Sequence, residues 1–182
     1  MRLLTLAAAA VLAVAGVGAW IVESEPDFYL RTRYPLEYEH IIRGHAANYE
    51  LDAALLAAVV YAESRFDPMA RSDAGAVGLM QLLPETAKGI ALRTGGDRFV
   101  VADLVDPDIN VRYGAWYLDH LRDRYGQMRL VLAAYHAGQG NVDEWLERGG
   151  ELEFPETREY VDEVTRLRGV YARAYDAELA PR

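Results

Sequence analysis

Cysteine is absent from this chain of 182 residues, which excludes disulfide bonds and thiolate metal sites and removes the usual sequence clue to the redox compartment. Positive charge is also scarce, with 19 basic against 28 acidic residues and a formal net charge of -9. A nucleic-acid partner would require a basic surface, so that class of function is disfavoured. The same charge gives no general attraction to an anionic polymer, and binding to one would rest on hydrogen bonds and stacking.

Alternating strand-like patterns, internal repeats and low-complexity tracts are missing outside the amino end. Apolar residues make up 52% of the chain, enough to bury a core, and they recur with helical periodicity. The sequence therefore predicts an all-α fold. The predicted helices cover residues 36–49, 51–62, 84–94, 106–125, 128–137, 142–148 and 157–177.

The longest apolar run lies at the amino end, where 20 uncharged residues, 3–22, follow Arg2. A helix that spans a bilayer needs about 20 apolar residues, so residues 1–22 are predicted to form a signal anchor. A cleavable signal peptide is the alternative, because Val17-Gly18-Ala19 offers small residues before a cut. Either interpretation places the rest of the chain outside the cytoplasm. The polar residues 23–34 are predicted to be a spacer, and residues 35–178 a folded domain.

Glu63 follows directly after a helix that is apolar on nearly every face. The preceding residues, 51–62, read LDAALLAAVVYA, and Asp52 can cap the amino end of this helix. A carboxyl group at the end of a buried helix loses water, which raises its pKa above the usual value of about 4.3. Glu63 is therefore predicted to hold a proton near neutral pH. Taken alone, however, a Glu at a helix end is more often a solvated surface residue.

The loop after Glu63 contains turn-forming residues beside small and polar ones. Gly75 and Gly78 leave room next to the backbone, while Ser72 and Gln81 offer side chains that can bond hydroxyls or amides. This composition favours a wall for a neutral ligand rich in hydroxyl groups. Each residue also has a plainer interpretation, as a turn former or a surface amide. The remaining histidines lack the spacing of metal ligands, so neither a metal nor another cofactor is expected. They are His40, His45 and His120.

Four short blocks resemble the soluble (SLT) type of lytic transglycosylase, and they occur in the order of that family. The first contains Glu63-Ser64, Phe66-Asp67-Pro68, Ser72, Gly75-Ala76, Gly78-Leu79-Met80-Gln81 and Thr86-Ala87. The second contains Asp106-Pro107, Asn110, Gly114 and Tyr117-Leu118. The third is Ala133-Ala134-Tyr135-His136-Ala137-Gly138, and the last is Glu156-Thr157-Arg158-Glu159-Tyr160-Val161.

The resemblance implies a lysozyme-like helical domain, of the goose-type or SLT kind, with a cleft for a glycan. It implies cleavage of the β-1,4 bond between N-acetylmuramic acid and N-acetylglucosamine in peptidoglycan, with a 1,6-anhydro product. In that family a single glutamate acts as acid and then as base, a role that falls on Glu63. Two alternatives stay open, namely a goose-type muramidase that adds water to the same bond and a binding or scaffold module without catalysis.

The supporting residues are also carried over from the resemblance. Ser72, Gly78 and Gln81 match polar or backbone contacts to sugars, and Tyr135 matches the tyrosine whose hydroxyl faces the glutamate. His136 stands where the family usually has Asn. Because imidazole titrates near pH 6.5, His136→Asn is predicted to keep or raise activity and to flatten the pH dependence between about 5.5 and 7.5.

Other residues are expected to have structural roles. Asn110 is predicted to hold a loop or a helix start, and Trp116 and Tyr117 are assigned to packing. Arg158 is also expected to be structural. The partner implied by the resemblance is the peptidoglycan strand, with the membrane reached through the amino-terminal segment and with wall-building, division or secretion machinery as further candidates.

Overall fold

A computed structural model describes Gly16 and residues 24–181. Helices dominate these residues, and within them the chain forms no β-strand beyond isolated bridges at Val77. The all-α prediction is therefore confirmed for this part of the chain. The helices are α1 Asp27–Arg33, α2 Glu39–Asn48, α3 Ala53–Ser64, α4 Pro84–Thr94, α5 Pro107–Tyr125, α6 Met128–Ala137, α7 Gln139–Glu147, α8 Pro155–Ala174 and α9 Asp176–Leu179, with a 3-10 helix at Val101–Val105.

The chain divides into one unit that ends at Pro35 and another that begins at Leu36. The first unit contains α1, which begins after Pro26 inside the segment predicted to be a spacer. Residues 1–22, predicted to be a signal anchor or signal peptide, lie outside the described residues except for Gly16. Across the described part of the chain, no helix has both the length and the apolar character that a membrane span requires.

The second unit is built around α3. Asp52 caps this helix as predicted, accepting a 2.8 Å hydrogen bond from the backbone N–H of Ala54. Every side chain from Ala54 to Tyr61 is buried, and α8 packs along the same helix. Burying one Leu or Val in such a core contributes about 1.5 to 3 kcal/mol relative to its exposure. The packing of α3 on α8 therefore sets the relative position of the residues at the end of each helix.

The turn that follows α3 begins two residues later than the predicted end of the helix at residue 62. The helix ends at Ser64 because Arg65 and Phe66 both adopt left-handed backbone angles, with φ of 52° and 66°. These two residues reverse the chain before Pro68 is reached. The Phe66 ring then folds back into the core, where its centroid lies 6.2 Å from that of Tyr61 and 6.3 Å from that of Tyr171.

Three helix boundaries were predicted wrongly by three residues, and the first is the start of α2, which was placed at residue 36 but lies at Glu39. Gly138 alone ends α6, with φ of 87°, and α7 begins at the next residue. Gly140 therefore lies inside α7, although the sequence placed this helix at 142–148. The last long helix was predicted to reach residue 177 but ends at Ala174, where Tyr175 leaves helical geometry before the short α9.

Candidate active site

A groove of about 420 Å³ lies where the end of α3, the loop after it and the end of α6 meet. Five of the six predicted site residues line this groove together, although they are up to 73 positions apart in the chain. They are Glu63, Ser72, Gln81, Tyr135 and His136. The other lining residues include four that the sequence did not assign to the site, namely Leu83, Thr86, Tyr117 and Gly138. The sixth predicted residue, Gly78, lies behind the groove wall.

Glu63 is partly buried, and its carboxyl group accepts a hydrogen bond from a residue of the last long helix. The hydroxyl of Tyr160 donates to Oε1 of Glu63 over 2.6 Å. Burial raises the pKa of Glu63 from 4.5 to about 7, although the hydrogen bond from Tyr160 favours the charged form and partly opposes this. The raised pKa that the sequence predicted is therefore confirmed, and Glu63 can both give and take a proton near neutral pH.

Tyr160 is the functional residue that sequence reasoning missed. It was quoted as part of the last resembling block but received no role at the site. The Tyr160 ring is 8% exposed, and burial together with the nearby Glu63 carboxyl raises the pKa of its hydroxyl well above 10.0. The hydroxyl therefore keeps its proton and acts as a constant donor. The only available signal was the spacing within Glu156-Thr157-Arg158-Glu159-Tyr160, which does not say which side chain faces Glu63.

Ser64 fixes the position of the helix end that carries Glu63. Its hydroxyl lies 3.1 Å from the carbonyl of Val60, one turn back in α3, and 2.8 Å from the carbonyl of Leu79 in the loop. A hydroxyl has one proton, so it donates to one of these carbonyls at a time. The short contact to Leu79 links the end of α3 that carries Glu63 to the loop that lines the groove.

The loop itself is held from behind by Asn110, which is fully buried at the start of α5. Its Oδ1 accepts from the N–H of Met80 over 2.7 Å, and its Nδ2 donates to the carbonyls of Val77 and Leu104, each over 2.9 Å. The prediction that Asn110 holds a loop is confirmed. One amide side chain therefore bonds three backbone groups, of which the Val77 carbonyl also accepts from the N–H of Leu82 over 3.1 Å.

Gly78 is required by the same packing. A Cβ atom at this position would lie 2.3 Å from Nδ2 of Asn110 and 2.3 Å from the carbonyl oxygen of Leu104. Its φ of 82° also belongs to the left-handed region that favours glycine. The absence of a side chain at Gly78 thus makes room for Asn110, not for a ligand in the groove.

The polar side chains of the groove wall form some of their hydrogen bonds with the backbone of the loop itself. Nε2 of Gln81 donates to the carbonyls of Ala70 and Gly78, over 3.1 Å and 3.0 Å. This fixes the amide, so its Oε1 is the side-chain atom that can accept from a ligand. The hydroxyl of Ser72 accepts a 3.1 Å hydrogen bond from the N–H of Ala76 and retains its proton as a donor. Both residues therefore present a positioned polar atom on a wall of otherwise apolar character.

Two tyrosines from neighbouring helices cover one side of the groove. Tyr135 and Tyr117 lie with ring centroids 5.6 Å apart, and both pack against the core formed by α4 and α5. Tyr117 was assigned to packing, and it also lines the groove. The resemblance directs the Tyr135 hydroxyl toward Glu63, and burial together with the nearby Glu63 carboxyl raises the pKa of this hydroxyl, which donates to the carbonyl of Met80 over 2.7 Å. The apolar ring faces remain suited to contact with a pyranose.

His136 lies at the end of α6 with one part of its ring exposed to solvent. The other part stacks on Tyr160, with ring centroids 4.5 Å apart and planes inclined by 26°. Its Nδ1 lies 3.2 Å from Oγ1 of Thr157. Burial against α8 lowers the pKa of His136 from 6.5, while the carboxylate of Glu156 raises it by a smaller amount.

Glu63 is the one acid among the described residues that line the groove. Asp67, the nearest acid in sequence, is exposed and uses its carboxylate to accept from the N–H of Met69 over 2.8 Å. Asp73 is exposed in the same loop. In the described part of the chain, no group of three or more His, Asp or Glu side chains is arranged to hold a metal ion. The arrangement supports proton transfer by a single carboxyl group.

These features define a helical domain with a groove of about 420 Å³ and one carboxyl group of raised pKa among the described residues that line it. The Transglycosylase SLT domain family model matches residues 40–157, so the chain belongs to the SLT transglycosylase domain family. It is 30% identical over 161 residues to the soluble lytic murein transglycosylase of Escherichia coli, covering 82% of this chain and 24% of that protein. It is also 30% identical over 161 residues to the membrane-bound lytic murein transglycosylase F of Yersinia pestis, covering 77% and 30%.

The fold matches solved structures of the same family. The lytic transglycosylase Slt of Pseudomonas aeruginosa, solved as an inactive mutant, superposes with a TM-score of 0.76 at 33% identity, covering 88% of this chain and 28% of that one. The 70 kDa soluble lytic transglycosylase of Escherichia coli in complex with bulgecin A gives a TM-score of 0.74 at 30% identity, covering 80% and 25%. The chain therefore spans about a quarter of the length of these relatives.

Proposed function

We propose that this chain cleaves peptidoglycan as a lytic transglycosylase, breaking the β-1,4 bond between N-acetylmuramic acid and N-acetylglucosamine. The observation that carries the proposal is a single carboxyl group, that of Glu63, with a pKa of about 7 in a groove whose other described lining residues are neutral or histidine. A hydrolase of the usual two-carboxylate type needs a second acid across the groove. Family membership supports the same reaction, since the relatives are lytic murein transglycosylases.

In the first step Glu63 donates its proton to the glycosidic oxygen, and the bond from that oxygen to C1 of N-acetylmuramic acid breaks. The N-acetylglucosamine side leaves with a new hydroxyl group. Positive charge develops at C1 and on the ring oxygen, and the N-acetyl group of the same sugar can stabilise it. Tyr160 continues to donate to Oε1, so the Glu63 carboxylate that forms keeps one hydrogen-bond partner.

In the second step the Glu63 carboxylate takes the proton from the C6 hydroxyl of the same N-acetylmuramic acid. The C6 oxygen then bonds to C1, which closes a 1,6-anhydro ring and returns Glu63 to its protonated form. One proton leaves and returns, and no water is consumed. A pKa near 7 suits both halves of this cycle because the group must act as acid and base at the same pH.

The groove residues are proposed to bind and orient the sugars. Ser72 and Gln81 offer a hydroxyl donor and an amide acceptor on the loop wall, and Tyr135 offers an apolar ring face. His136 offers an imidazole beside Glu63 on the same groove. Gly78 contributes by allowing the loop to close on Asn110, which sets the positions of Met80 and Gln81.

Mass spectrometry of muropeptides released from purified sacculi tests the reaction. Wild-type protein is expected to release 1,6-anhydro ends, which are lighter by one water than reducing ends. Glu63→Gln is expected to lower turnover by a hundredfold or more, since general acid catalysis contributes about 10² to 10⁴. Asp73→Asn, an exposed acid of the same loop, serves as the matched control and should keep full activity.

The alternatives give different results in the same assay. Release of reducing ends would identify a muramidase, and an inert wild-type protein that still binds sacculi would identify a scaffold module. We further propose that the protein acts outside the cytoplasm, where its substrate lies, and that residues 1–22 tether it to the membrane. Comparing the intact mass of the protein in membrane and medium fractions tests whether that segment is retained. Wall-building or secretion partners remain a proposal from the resemblance.

A further inference from the structure

His136 joins the end of α6 to the beginning of α8 at the wall of the groove. Its imidazole covers the ring of Tyr160 at a centroid distance of 4.5 Å, and its Nδ1 reaches Oγ1 of Thr157 at 3.2 Å. Thr157 and Tyr160 lie one turn apart on α8, and both are buried. A single side chain therefore contacts two buried residues of the helix that contacts Glu63.

Tyr160 connects His136 to the Glu63 carboxyl group, because it contacts both. One face of its ring carries His136, while its hydroxyl donates to Glu63 over 2.6 Å. His136 also lines the groove directly, together with Glu63 and Tyr135. A change in the imidazole can thus reach the reaction both through Tyr160 and across the groove.

The charge of His136 depends on few neighbours. The titratable groups that face it are Glu63 at the end of α3, Tyr135 on its own helix, and Glu156 and Tyr160 on α8. Burial against α8 lowers the pKa of His136 from 6.5, and Glu156 only partly offsets this. The imidazole is therefore neutral at pH 7 and becomes charged as the solution turns acidic.

We propose that His136 is a proton-controlled positioning residue, which holds Tyr160 and Glu63 in place when neutral and slows glycan cleavage when it becomes an imidazolium. The inference rests on the proposed function, because it concerns the rate of that reaction. It assigns the acid side of the pH–rate profile to His136 and the alkaline side to Glu63.

Two electrostatic effects act in the same direction once His136 is charged. Positive charge develops on the sugar in the transition state, and a cation on the groove wall destabilises it. The Glu63 carboxylate is needed as a base in the second step, and a nearby cation stabilises that carboxylate and weakens it as a base. Both effects lower kcat more than they change substrate binding.

The two groups give different shapes to the pH profile. Glu63 loses its proton above a pH of about 7, so the rate falls on the alkaline side. Glu63 by itself would leave a plateau at lower pH, because it stays protonated there. A fall on the acid side therefore requires a second titrating group, and His136 is the one whose pKa lies on that side of Glu63 in the groove.

The test compares kcat and KM on a defined soluble glycan strand between about pH 4.5 and 8.5, a range that brackets both groups. Wild type is expected to lose roughly tenfold in kcat for each pH unit below the acid midpoint. The kcat of His136→Asn should stay constant within about twofold below that midpoint, and its fall at alkaline pH should match that of wild type. His136→Lys, a permanent cation, should have low kcat throughout with little change in KM.

The matched control is His40→Asn, since His40 lies on α2 with 81% of its side chain exposed, and it should behave as wild type.

Titration of the His136 ring by NMR in the free protein provides a readout besides activity, and its midpoint should coincide with the acid midpoint of kcat/KM, which reports groups of the free enzyme. The inference is overturned if His136→Asn keeps the acid limb, if His136→Lys is as active as His136→Asn, or if the two midpoints differ. Should His136→Asn fail to fold by circular dichroism, His136→Gln replaces it under the same criteria. Wild type that releases no 1,6-anhydro ends at any pH would overturn the proposed function itself, whereas release of such ends with an unchanged acid limb in His136→Asn overturns this inference alone.

Discussion

The hydroxyl of Tyr160 lies 2.6 Å from Oε1 of Glu63, a contact between residues 97 positions apart in the chain. It joins the ends of α3 and α8 at the group proposed to move the proton. Burial raises the pKa of Glu63, and this hydrogen bond opposes the rise without cancelling it. The value of about 7 is the balance of these two effects, and each can be tested by a substitution.

Removing the Tyr160 hydroxyl should move the alkaline limb of the reaction. Tyr160→Phe deletes a hydrogen bond that favours the charged form of Glu63, so the pKa of Glu63 should rise further and the limb should shift to higher pH. We expect kcat to fall about tenfold as well, because the carboxyl group loses its positioning partner. The pH dependence of kcat measures both effects.

The control for this substitution is Tyr125→Phe. Tyr125 also donates its hydroxyl to a carboxylate, that of Asp143 over 2.8 Å, but at a position outside the residues that line the groove. Its loss should leave the pH profile unchanged. An equal shift in both variants would mean that the effect does not come from the contact with Glu63.

Glu63 should reduce stability at high pH. Its folded pKa of about 7 lies above the unfolded value near 4.5, so the folded protein binds more protons between these values and stability falls as pH rises through them. Glu63→Gln removes the ionisable group and therefore this loss of stability at high pH. The variant should therefore be more stable than wild type at pH 8, by on the order of 1 to 3 kcal/mol after allowance for partial exposure.

Urea denaturation at pH 8 and at pH 4 measures the difference. At pH 4 the carboxyl group is protonated in both folded and unfolded states, so the gain should disappear. A gain of the same size at both pH values would indicate a packing effect of the amide, and would contradict the assigned pKa.

Asn110 should be among the most sensitive positions outside the groove. Asn110→Ala removes the side-chain partner of the Met80 N–H and of the carbonyls of Val77 and Leu104, although the Val77 carbonyl keeps the N–H of Leu82. The expected loss of stability is about 2 to 4 kcal/mol, since each buried unsatisfied group costs about 1 to 3 and the loop can relax. Activity should fall too, because the same loop carries Gln81.

Thermal unfolding followed by circular dichroism checks this prediction against Asn48→Ala. Asn48 is exposed at the end of α2 and should change stability by less than about 0.5 kcal/mol. Similar losses for the two variants would show that the three hydrogen bonds of Asn110 contribute little.

Two glycines of the same loop allow backbone strain to be separated from steric overlap. Gly75 and Gly78 have similar φ values, 85° and 82°, but a Cβ at Gly75 meets nothing within 4 Å, whereas one at Gly78 meets Asn110 and Leu104 at 2.3 Å. Gly75→Ala should therefore cost about 1 to 2 kcal/mol from the left-handed backbone alone. Gly78→Ala should cost distinctly more, and denaturant unfolding of the pair measures the difference. Equal costs would show that the loop moves aside without penalty.

Much of the local structure follows from short stretches of sequence. Asp52 and Asp106 cap their helices, and Pro84 begins one, because these residues satisfy or lack backbone N–H groups at a helix start. The apolar run before Glu63 was sufficient to predict a buried helix, and it indicated a raised pKa that the packing around Glu63 in the folded protein then produces. The boundaries near Gly140 and Tyr175 were missed because several residues there are compatible with either a break or a continued helix.

The sequence by itself determined that the domain is helical and that Glu63 lies at the end of a buried helix, and the resemblance of the four blocks placed Ser72, Gln81, Tyr135 and His136 with it. These properties depend on composition, periodicity and short motifs, which are local. Only the tertiary structure decided that Tyr160 donates a hydrogen bond to Glu63 and that His136 stacks on Tyr160. It also decided that the space next to Gly78 is occupied by Asn110 and not by a ligand. Such contacts join residues that are distant in the chain, and they are set by how α3, α6 and α8 pack against one another.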